Sequence, residues 1–307
     1  MPQKNDLTEK DLKVLKFISK YHMIKVEDTS LIYKTKRYYR TRINKLIDTK
    51  YVKKYKNYIV IDKNGRRALN VVGTSYLKNI QNESYMGRLR NVASIATISI
   101  DSNVKFIPSW DIKEKEKYTE VARKYIGKMF RDNKEYLVYY ISSIKEHVYI
   151  KQLLFDIKKA ANENIIIFLE NYDVISKNYF NMIFGKDSTL AILNTELNKK
   201  IIKEYEKVNI HELIEKVYEQ EIMISNWEYA DFMLEDETYI VNMIFLDTEK
   251  IGRINWFLEE NTESNKKIEF ITIKNNEEKL RELLDNKCNI RIINENLVGG
   301  IDEEEYC

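Results

Sequence analysis

The sequence contains few of the residues that build metal sites and disulfides. Its 307 residues include two cysteines and three histidines. Cys288 and Cys307 are too few for a cysteine-rich zinc site, and a pair that includes the last residue is not typical of a disulfide framework. His22, His147 and His211 lie far apart and show neither HxH nor HxxxH spacing. We therefore expect no bound metal, reduced thiols and a cytoplasmic protein.

Long apolar runs and glycine motifs are also missing. No window reaches the length of uninterrupted apolar sequence that crosses a membrane, and the initial MPQKNDLTEKD has no apolar core. The eight glycines form neither GxGxxG nor GxxxxGK[ST], and no GxSxG is present. The sequence therefore predicts a soluble protein without a membrane partner and without a cofactor, and it gives no positive sign of an enzyme.

A strong local charge asymmetry is present. The net charge of the whole chain is only +3. Residues 34–67 contain thirteen lysines and arginines against two acidic residues, whereas residues 68–307 carry a net charge of −9. The basic segment attracts phosphate groups and the rest of the chain repels them.

The start of the chain predicts a helix from about Glu9 to Tyr21. Thr8 and Asp11 have the spacing of a capping box, in which each side chain accepts a hydrogen bond from the backbone N–H of the other residue. A short helical segment follows within residues 26–33. Both precede the basic segment.

The basic segment predicts a third helix, from Lys36 to about Asp48, with Thr35 as its N-cap. The residues expected to pack inward are Tyr39, Ile43, Leu46 and Ile47. The opposite face presents side chains that pair with base edges, namely Arg37, Arg40, Thr41 and Asn44. Contacts with phosphates are expected at the flanks, from Arg42 and Lys45.

The stretch YVKKYKNYIVIDKNGRRAL predicts two strands, a tight turn between them and a following helix. The apolar strand positions are Tyr51, Val52, Ile59 and Ile61, and Asn64–Gly65 supplies turn residues before the helix. A helix, a short helix, a basic helix and a hairpin follow one another in the order of a winged helix-turn-helix domain.

Three stretches, LTEKDLKVLKFISKYH, RINKLIDTKYVKK and YIVIDKNGRRAL, resemble the first helix, the recognition helix and the wing of bacterial winged helix-turn-helix regulators. The resemblance implies major-groove contacts from Arg37, Tyr38, Arg40, Thr41 and Asn44. It also implies contacts with phosphates or the minor groove from Lys53, Lys54 and Lys56. With Lys36 and Lys45 added, these residues are the predicted DNA-binding set.

The predicted organisation is a mixed α/β chain with a winged helix-turn-helix domain at residues 1–72. Residues 73–99 predict a linking helix, either for a dimer or domain interface or for packing within the chain. Residues 100–298 alternate strand patterns, such as the buried run NIIIFLE and the stretch TYIVNMIFL, with helix patterns such as HVYIKQLLFDIKKAANEN. They predict an α/β domain for oligomerisation or for partner or ligand binding. Residues 299–307 form an acidic tail. This order is loosely similar to the replication-relaxation family of plasmids from low-GC Gram-positive bacteria, which implies a DNA-binding protein of a mobile element.

A weaker pattern predicts a different function. Pro108, Asp111 and Lys113 in IPSWDIK, with Asp156 and Lys158 further on, match divalent-metal nucleases, in which carboxylates bind Mg2+ and a lysine steadies the attacking water. Short matches of this kind arise often by chance in a chain rich in Asp and Lys. The region 100–298 would then be a degenerate nuclease-like domain.

The first hypothesis is therefore a sequence-specific protein for double-stranded DNA, acting as a homodimer. It would be a transcription regulator or a plasmid or phage replication and maintenance factor, two roles that share the same binding physics. The alternative is a metal-dependent nuclease or nickase targeted by the winged helix. A third hypothesis is a docking module for proteins, without DNA affinity.

Overall fold

The computed structural model describes residues 7–35, 37–70, 83–116, 125–131, 134–142, 152–153, 155–156, 164–171, 189–204, 209–261, 266–284 and 288–298. They belong to two compact units, the N-terminal unit (residues 1–117) and the C-terminal unit (residues 118–307). Helices and strands occur in both units, which confirms the prediction of a mixed α/β chain. No helix in the described ranges has both the length and the apolar character needed to cross a membrane.

The N-terminal unit combines helices with a small antiparallel sheet. Its elements are α1 (Glu9–Tyr21), β1 (Ile24–Lys25), α2 (Thr29–Tyr33), α3 (Tyr38–Asp48), β2 (Val52–Tyr55), β3 (Tyr58–Ile61), α4 (Lys63–Ala68), α5 (Glu83–Ala96), a 3-10 helix (Thr97–Ser99), β4 (Lys105–Pro108) and α6 (Ser109–Glu116). The sheet has the strand order β1-β3-β2, and both pairs are antiparallel.

The first helix forms where the sequence predicts it. The Asp11 N–H donates to Thr8 Oγ1 at 3.2 Å, and the Thr8 N–H donates to Asp11 Oδ2 at 2.7 Å, which completes the capping box. Leu15 and Ile18 are fully buried because they recur on the same side of the helix. The chain leaves the helix at His22, whose φ is 71°.

The β2–β3 hairpin is covered on both faces. Because side chains alternate along a strand, Val52 and its partner Ile61 share one face, whereas Val60 belongs to the other. Ile61 lies toward α1, and Val60 packs with Met86 and Leu89 of α5.

The predicted linking helix is described over residues 83–96, and residues 71–82 lie outside the described ranges. The predicted boundaries at residues 72 and 99 stay predictions.

Local details near the basic helix differ from the prediction. α3 begins at Tyr38 rather than at Lys36, and its N-cap is Arg37, with φ −129° and ψ −40°, rather than Thr35. The tight turn predicted between the two strands is present, at Lys56–Asn57. Asn64 and Gly65 lie within α4, not in a turn, because Asp62 accepts a hydrogen bond from the Lys63 N–H and starts that helix.

The C-terminal unit contains two sheets. Its elements are β5 (Gly127–Arg131), β6 (Lys134–Ile141), β7 (Asn164–Leu169), β8 (Thr189–Leu193), α7 (Glu196–Glu204), α8 (Ile210–Tyr218), β9 (Met223–Ile224), β10 (Phe232–Met233), β11 (Tyr239–Asn242), β12 (Leu246–Asp247), α9 (Thr248–Glu260), β13 (Ile268–Ile273), α10 (Lys274–Leu283), β14 (Asn289–Ile293) and α11 (Glu295–Val298). Within this unit the strands follow the orders β12-β8-β7-β6-β5 and β14-β13-β11-β10-β9.

Parallel pairing explains the apolar runs of this unit. β6, β7 and β8 pair in parallel, as do β11, β13 and β14. Residues 165–169 of β7 are all buried, as is typical of a strand covered on both faces. The predicted strand TYIVNMIFL is instead divided into β11 and β12. The helix predicted from HVYIKQLLFDIKKAANEN lies mostly outside the described ranges.

Candidate nucleic-acid interface

The two sides of α3 differ in chemistry. The side chains that face inward are Tyr39, Arg42, Ile43 and Leu46. The exposed side chains are Arg37, Tyr38, Arg40, Thr41, Asn44, Lys45 and, at the last position of the helix, Asp48. We call the first six the recognition face. They form two adjacent rows with spacings of three and four residues, Arg37–Arg40–Asn44 and Tyr38–Thr41–Lys45, and therefore lie on one surface. The structure thus brings six predicted residues together, while Lys36 lies outside the described ranges.

Arg40 is held in place by its neighbour on the helix. Its Nε donates to the hydroxyl of Tyr39 at 3.0 Å, and its guanidinium lies 5.6 Å from the centroid of the same ring. This hydrogen bond raises the pKa of Arg40. The terminal nitrogens of the guanidinium take no part in the bond, so they remain able to donate in pairs to a base edge or a phosphate.

Arg42 corrects the sequence prediction. It was expected to contact phosphates, but its side chain is only 11% exposed and forms an ion pair with Asp11, whose side chain is 0% exposed. The Arg42 Nε donates to Asp11 Oδ1 at 3.3 Å, and its Nη2 donates to Oδ2. The reason is helical spacing, since Arg42 lies three residues after Tyr39 and four before Leu46, on the buried side.

Asp11 joins three helices. It accepts a hydrogen bond from the Tyr33 hydroxyl at 2.6 Å, in addition to those from Thr8 and Arg42. Burial alone would raise the pKa of Asp11, but the hydrogen bonds from Arg42, Tyr33 and Thr8 outweigh burial and lower it. The carboxylate is therefore ionised and cancels the charge of Arg42. We infer that the network fixes α3 against α1 and α2, a role that the capping-box pattern did not indicate.

The three predicted wing lysines do not lie on one surface. Lys54 pairs across the sheet with Ile59, on the face that α1 and α3 cover, whereas Lys53 pairs with Val60, on the face that α5 covers. Lys56 lies in the turn with φ 51°, and its Nζ is 3.8 Å from the carboxylate of Glu83. The three lysines are therefore expected to differ in what they contact.

The two aspartates of the nuclease pattern lie on helical segments, and Pro108 is the last residue of β4. Asp111 lies on α6 of the N-terminal unit rather than on a strand, because β4 ends at Pro108. Asp156 is buried within a short helical stretch of the C-terminal unit. The side chain of Lys113 and all of Lys158 lie outside the described ranges. Within those ranges, no group of three or more His, Cys, Asp or Glu residues is arranged to hold a metal ion.

Of the three histidines, His22 is buried. Its ring stacks on Trp110 with the ring centroids 4.4 Å apart and an angle of 21° between the planes. Burial lowers the pKa of His22 to about 4, so the ring is neutral near pH 7. His211 lies on α8, and its ring meets Phe232 edge-on. His147 lies outside the described ranges.

Comparison with known proteins assigns no family, because no family model, no curated protein and no solved structure matches the chain.

Proposed function

We propose that the protein binds double-stranded DNA through its N-terminal unit and reads base sequence with the recognition face of α3. The observation that carries the proposal is the composition of that face. Arginine pairs with guanine, asparagine pairs with adenine, and threonine contacts either a base edge or a thymine methyl group. All three residue types are exposed on one side of a helix whose other side is buried.

The order of elements supports interpretation of this unit as a winged helix-turn-helix. α2 and α3 would form the helix-turn-helix, with α3 as the recognition helix, and the β2–β3 hairpin would be the wing. The network around Asp11 supports the interpretation further, because a helix that enters the major groove must be held firmly by the rest of its domain.

The location and repeat pattern of the bound DNA sequence would decide the biological role. A transcription regulator and a plasmid or phage replication and maintenance factor would both use this interface, with the protein acting as a homodimer. In either role the acidic C-terminal unit would serve oligomerisation or partner binding, because its charge repels DNA. A mobile element is the origin that the resemblance noted above favours.

The first experiment is selection of bound fragments by the full chain from a genomic library at about 150 mM salt, where non-specific phosphate binding is weak. We expect one sequence to be enriched. An inverted repeat upstream of a gene would indicate a dimeric regulator, and tandem repeats at an origin would indicate a replication factor. If no sequence is enriched, the proposal of sequence-specific binding is wrong.

The second experiment assigns the recognition face. The double variant Arg37→Ala, Arg40→Ala should lose its preference for the selected duplex over a scrambled duplex, because each bidentate contact discriminates by about 1–3 kcal/mol. The matched control is Lys13→Ala, Lys16→Ala, which removes two exposed charges from α1. If the Arg37→Ala, Arg40→Ala variant still prefers the selected duplex over the scrambled duplex to the same degree, the assignment of base contacts to these two arginines of the recognition face is wrong.

The nuclease alternative has a separate test. The full chain is incubated with supercoiled plasmid in Mg2+ and in Mn2+, and the fraction of nicked circles is measured. Nicking that disappears in Asp111→Ala would replace the proposed function with a metal-dependent nickase. Intact plasmid in both metals would remove this alternative.

A further inference from the structure

A second basic surface lies on α4, outside the predicted DNA-binding residues. Lys63 and Arg67 are both exposed, and a spacing of four residues places them on the same side of the helix. Lys50 is also exposed, in the turn after α3. None of these three side chains forms an ion pair or a side-chain hydrogen bond with another described residue.

α4 is attached firmly to the end of α3. The side-chain amide of Asn64 donates to the carbonyl oxygen of Thr49 at 2.7 Å, and the Asn64 N–H donates to the carbonyl oxygen of Lys50 at 3.1 Å. Gly65 allows the close approach, because a Cβ atom there would lie 2.3 Å from the carbonyl oxygen of Tyr51. The first turn of α4 therefore rests on the segment that follows α3.

This position places α4 beyond one end of the recognition face. α3 has eleven residues and is about 16 Å long at 1.5 Å per residue. The major groove is about 12 Å wide and is bordered by the two phosphate backbones. A helix that reads bases in the groove therefore brings groups beyond its C-terminal end over a phosphate backbone rather than over base edges.

We propose that Lys63 and Arg67 of α4, together with Lys50, bind phosphate groups of the same duplex whose bases α3 reads. The inference rests on the proposed function and adds a contact that carries no base preference. Phosphate contacts of this kind fix the register of a protein on the duplex and supply affinity that depends on salt. The double-stranded DNA footprint thus extends from α3 to α4.

The test uses the full chain with Lys63→Gln and Arg67→Gln, titrated onto the selected duplex and onto a scrambled duplex between 50 and 200 mM salt. The affinity falls as salt rises, so the slope of log K against log salt is negative. Loss of two phosphate contacts should make this slope less steep by about 1.8, at about 0.9 for each contact. Over that salt range the wild type would then lose about 12-fold more affinity than the variant. The ratio of affinities for the two duplexes should stay unchanged.

Two further variants make the result specific. Lys13→Gln, Lys16→Gln removes the same charge from α1 and should leave the slope unchanged. Lys63→Arg, Arg67→Lys preserves the charge on α4 and should retain the wild-type slope. An unchanged slope in the α4 variant, or an equal fall in the α1 control, would overturn the inference. If the wild type still prefers its selected site in that case, the proposed function survives; if the wild type binds no DNA, both fail.

Discussion

The two units treat their basic side chains differently. In the C-terminal unit many lie against carboxylates, as in the pairs Lys250–Asp231, Arg281–Glu277 and Arg291–Glu269. In residues 34–67, by contrast, eight basic side chains form no ion pair with another described residue: Arg37, Arg40, Lys50, Lys53, Lys54, Lys63, Arg66 and Arg67. The proportion of basic side chains without a carboxylate partner, more than the number of charges, therefore distinguishes the surface that we propose for DNA.

Arg42 shows that the distinction also holds within the basic segment. It belongs to the same run of sequence as Arg37 and Arg40, yet the chain itself supplies its carboxylate. Charge counting treats the three arginines alike, whereas the structure assigns one to the interior and two to the recognition face. Variants that remove single members of either class therefore test the comparison.

The largest effect is expected from Arg42→Met, which leaves the buried carboxylate of Asp11 without its cation. Loss of one partner from a buried pair costs about 3–5 kcal/mol, so urea denaturation should show a large fall in the free energy of unfolding of the N-terminal unit. The matched control is Arg281→Met in the C-terminal unit, where the pair with Glu277 is partly exposed and a fall of at most about 1 kcal/mol is expected. Equal falls in the free energy of unfolding in the two variants would contradict the prediction that Arg42 is a buried structural residue.

A smaller effect is expected from the titration of His22. Its pKa is about 4 in the folded protein, below the ordinary value of 6.5, because burial favours the neutral ring. The resulting stabilisation is complete above pH 6.5 and is lost as the pH falls from 6.5 to about 4, by at most about 3 kcal/mol.

His22→Asn isolates this titration, because asparagine tolerates the left-handed backbone at that position. The free energy of unfolding of the wild type minus that of the variant should be constant above pH 6.5 and should decrease below it. A difference that is the same at pH 7 and pH 4.5 would contradict the prediction.

Next in size is the substitution Gly65→Ala, which places a methyl group against the carbonyl oxygen of Tyr51. Overpacking of this kind costs about 1–3 kcal/mol, measured as a fall in the denaturation midpoint. Gly87→Ala on α5 is the control, since a Cβ there meets nothing within 4 Å. That variant should gain up to about 1 kcal/mol, because alanine favours a helix over glycine. The reverse ranking would show that α4 is not held closely against Tyr51.

The smallest expected effect is a difference between Lys54→Gln and Lys53→Gln in the salt dependence of DNA binding. Because Lys54 shares the sheet face that α1 and α3 cover, Lys54→Gln should lower the salt slope of DNA binding by about 0.9. Lys53→Gln should leave the slope unchanged, because that side chain lies on the face that α5 covers. Equal slopes in the two variants would mean that the hairpin does not present one preferred face to the duplex.

Features with a local cause were predicted from the sequence. The capping box of α1, the two faces of α3 and the buried strand β7 each depend on residues within one element. The ion pair between Asp11 and Arg42 was not predicted, since 31 residues separate the partners. Helical spacing places Arg42 on the buried side of α3, whereas its charge favours an exposed position, and the sequence alone does not show the carboxylate that makes burial possible.

Two other differences arise from tertiary packing. Asn64–Gly65 is typical of a turn, but the glycine is needed for close packing on Tyr51 and both residues continue a helix. β9 and β12 have two residues each, too few for an alternating pattern to be seen in the sequence. The opposite orientations of Lys53 and Lys54 follow from strand alternation, but their consequence depends on which helices cover each face.

The contiguity of the N-terminal unit has a consequence for the order of folding during synthesis. The strands of its sheet pair over separations of at most 35 residues, and the unit ends at residue 117, with at least 190 residues still to be translated. At about 5–20 residues per second the ribosome needs about 10–40 s for that remainder, whereas mixed domains rich in local contacts fold in well under a second. We expect nascent chains stalled within the C-terminal unit to resist protease over residues 9–68. The recognition face would then form before the two sheets of the C-terminal unit.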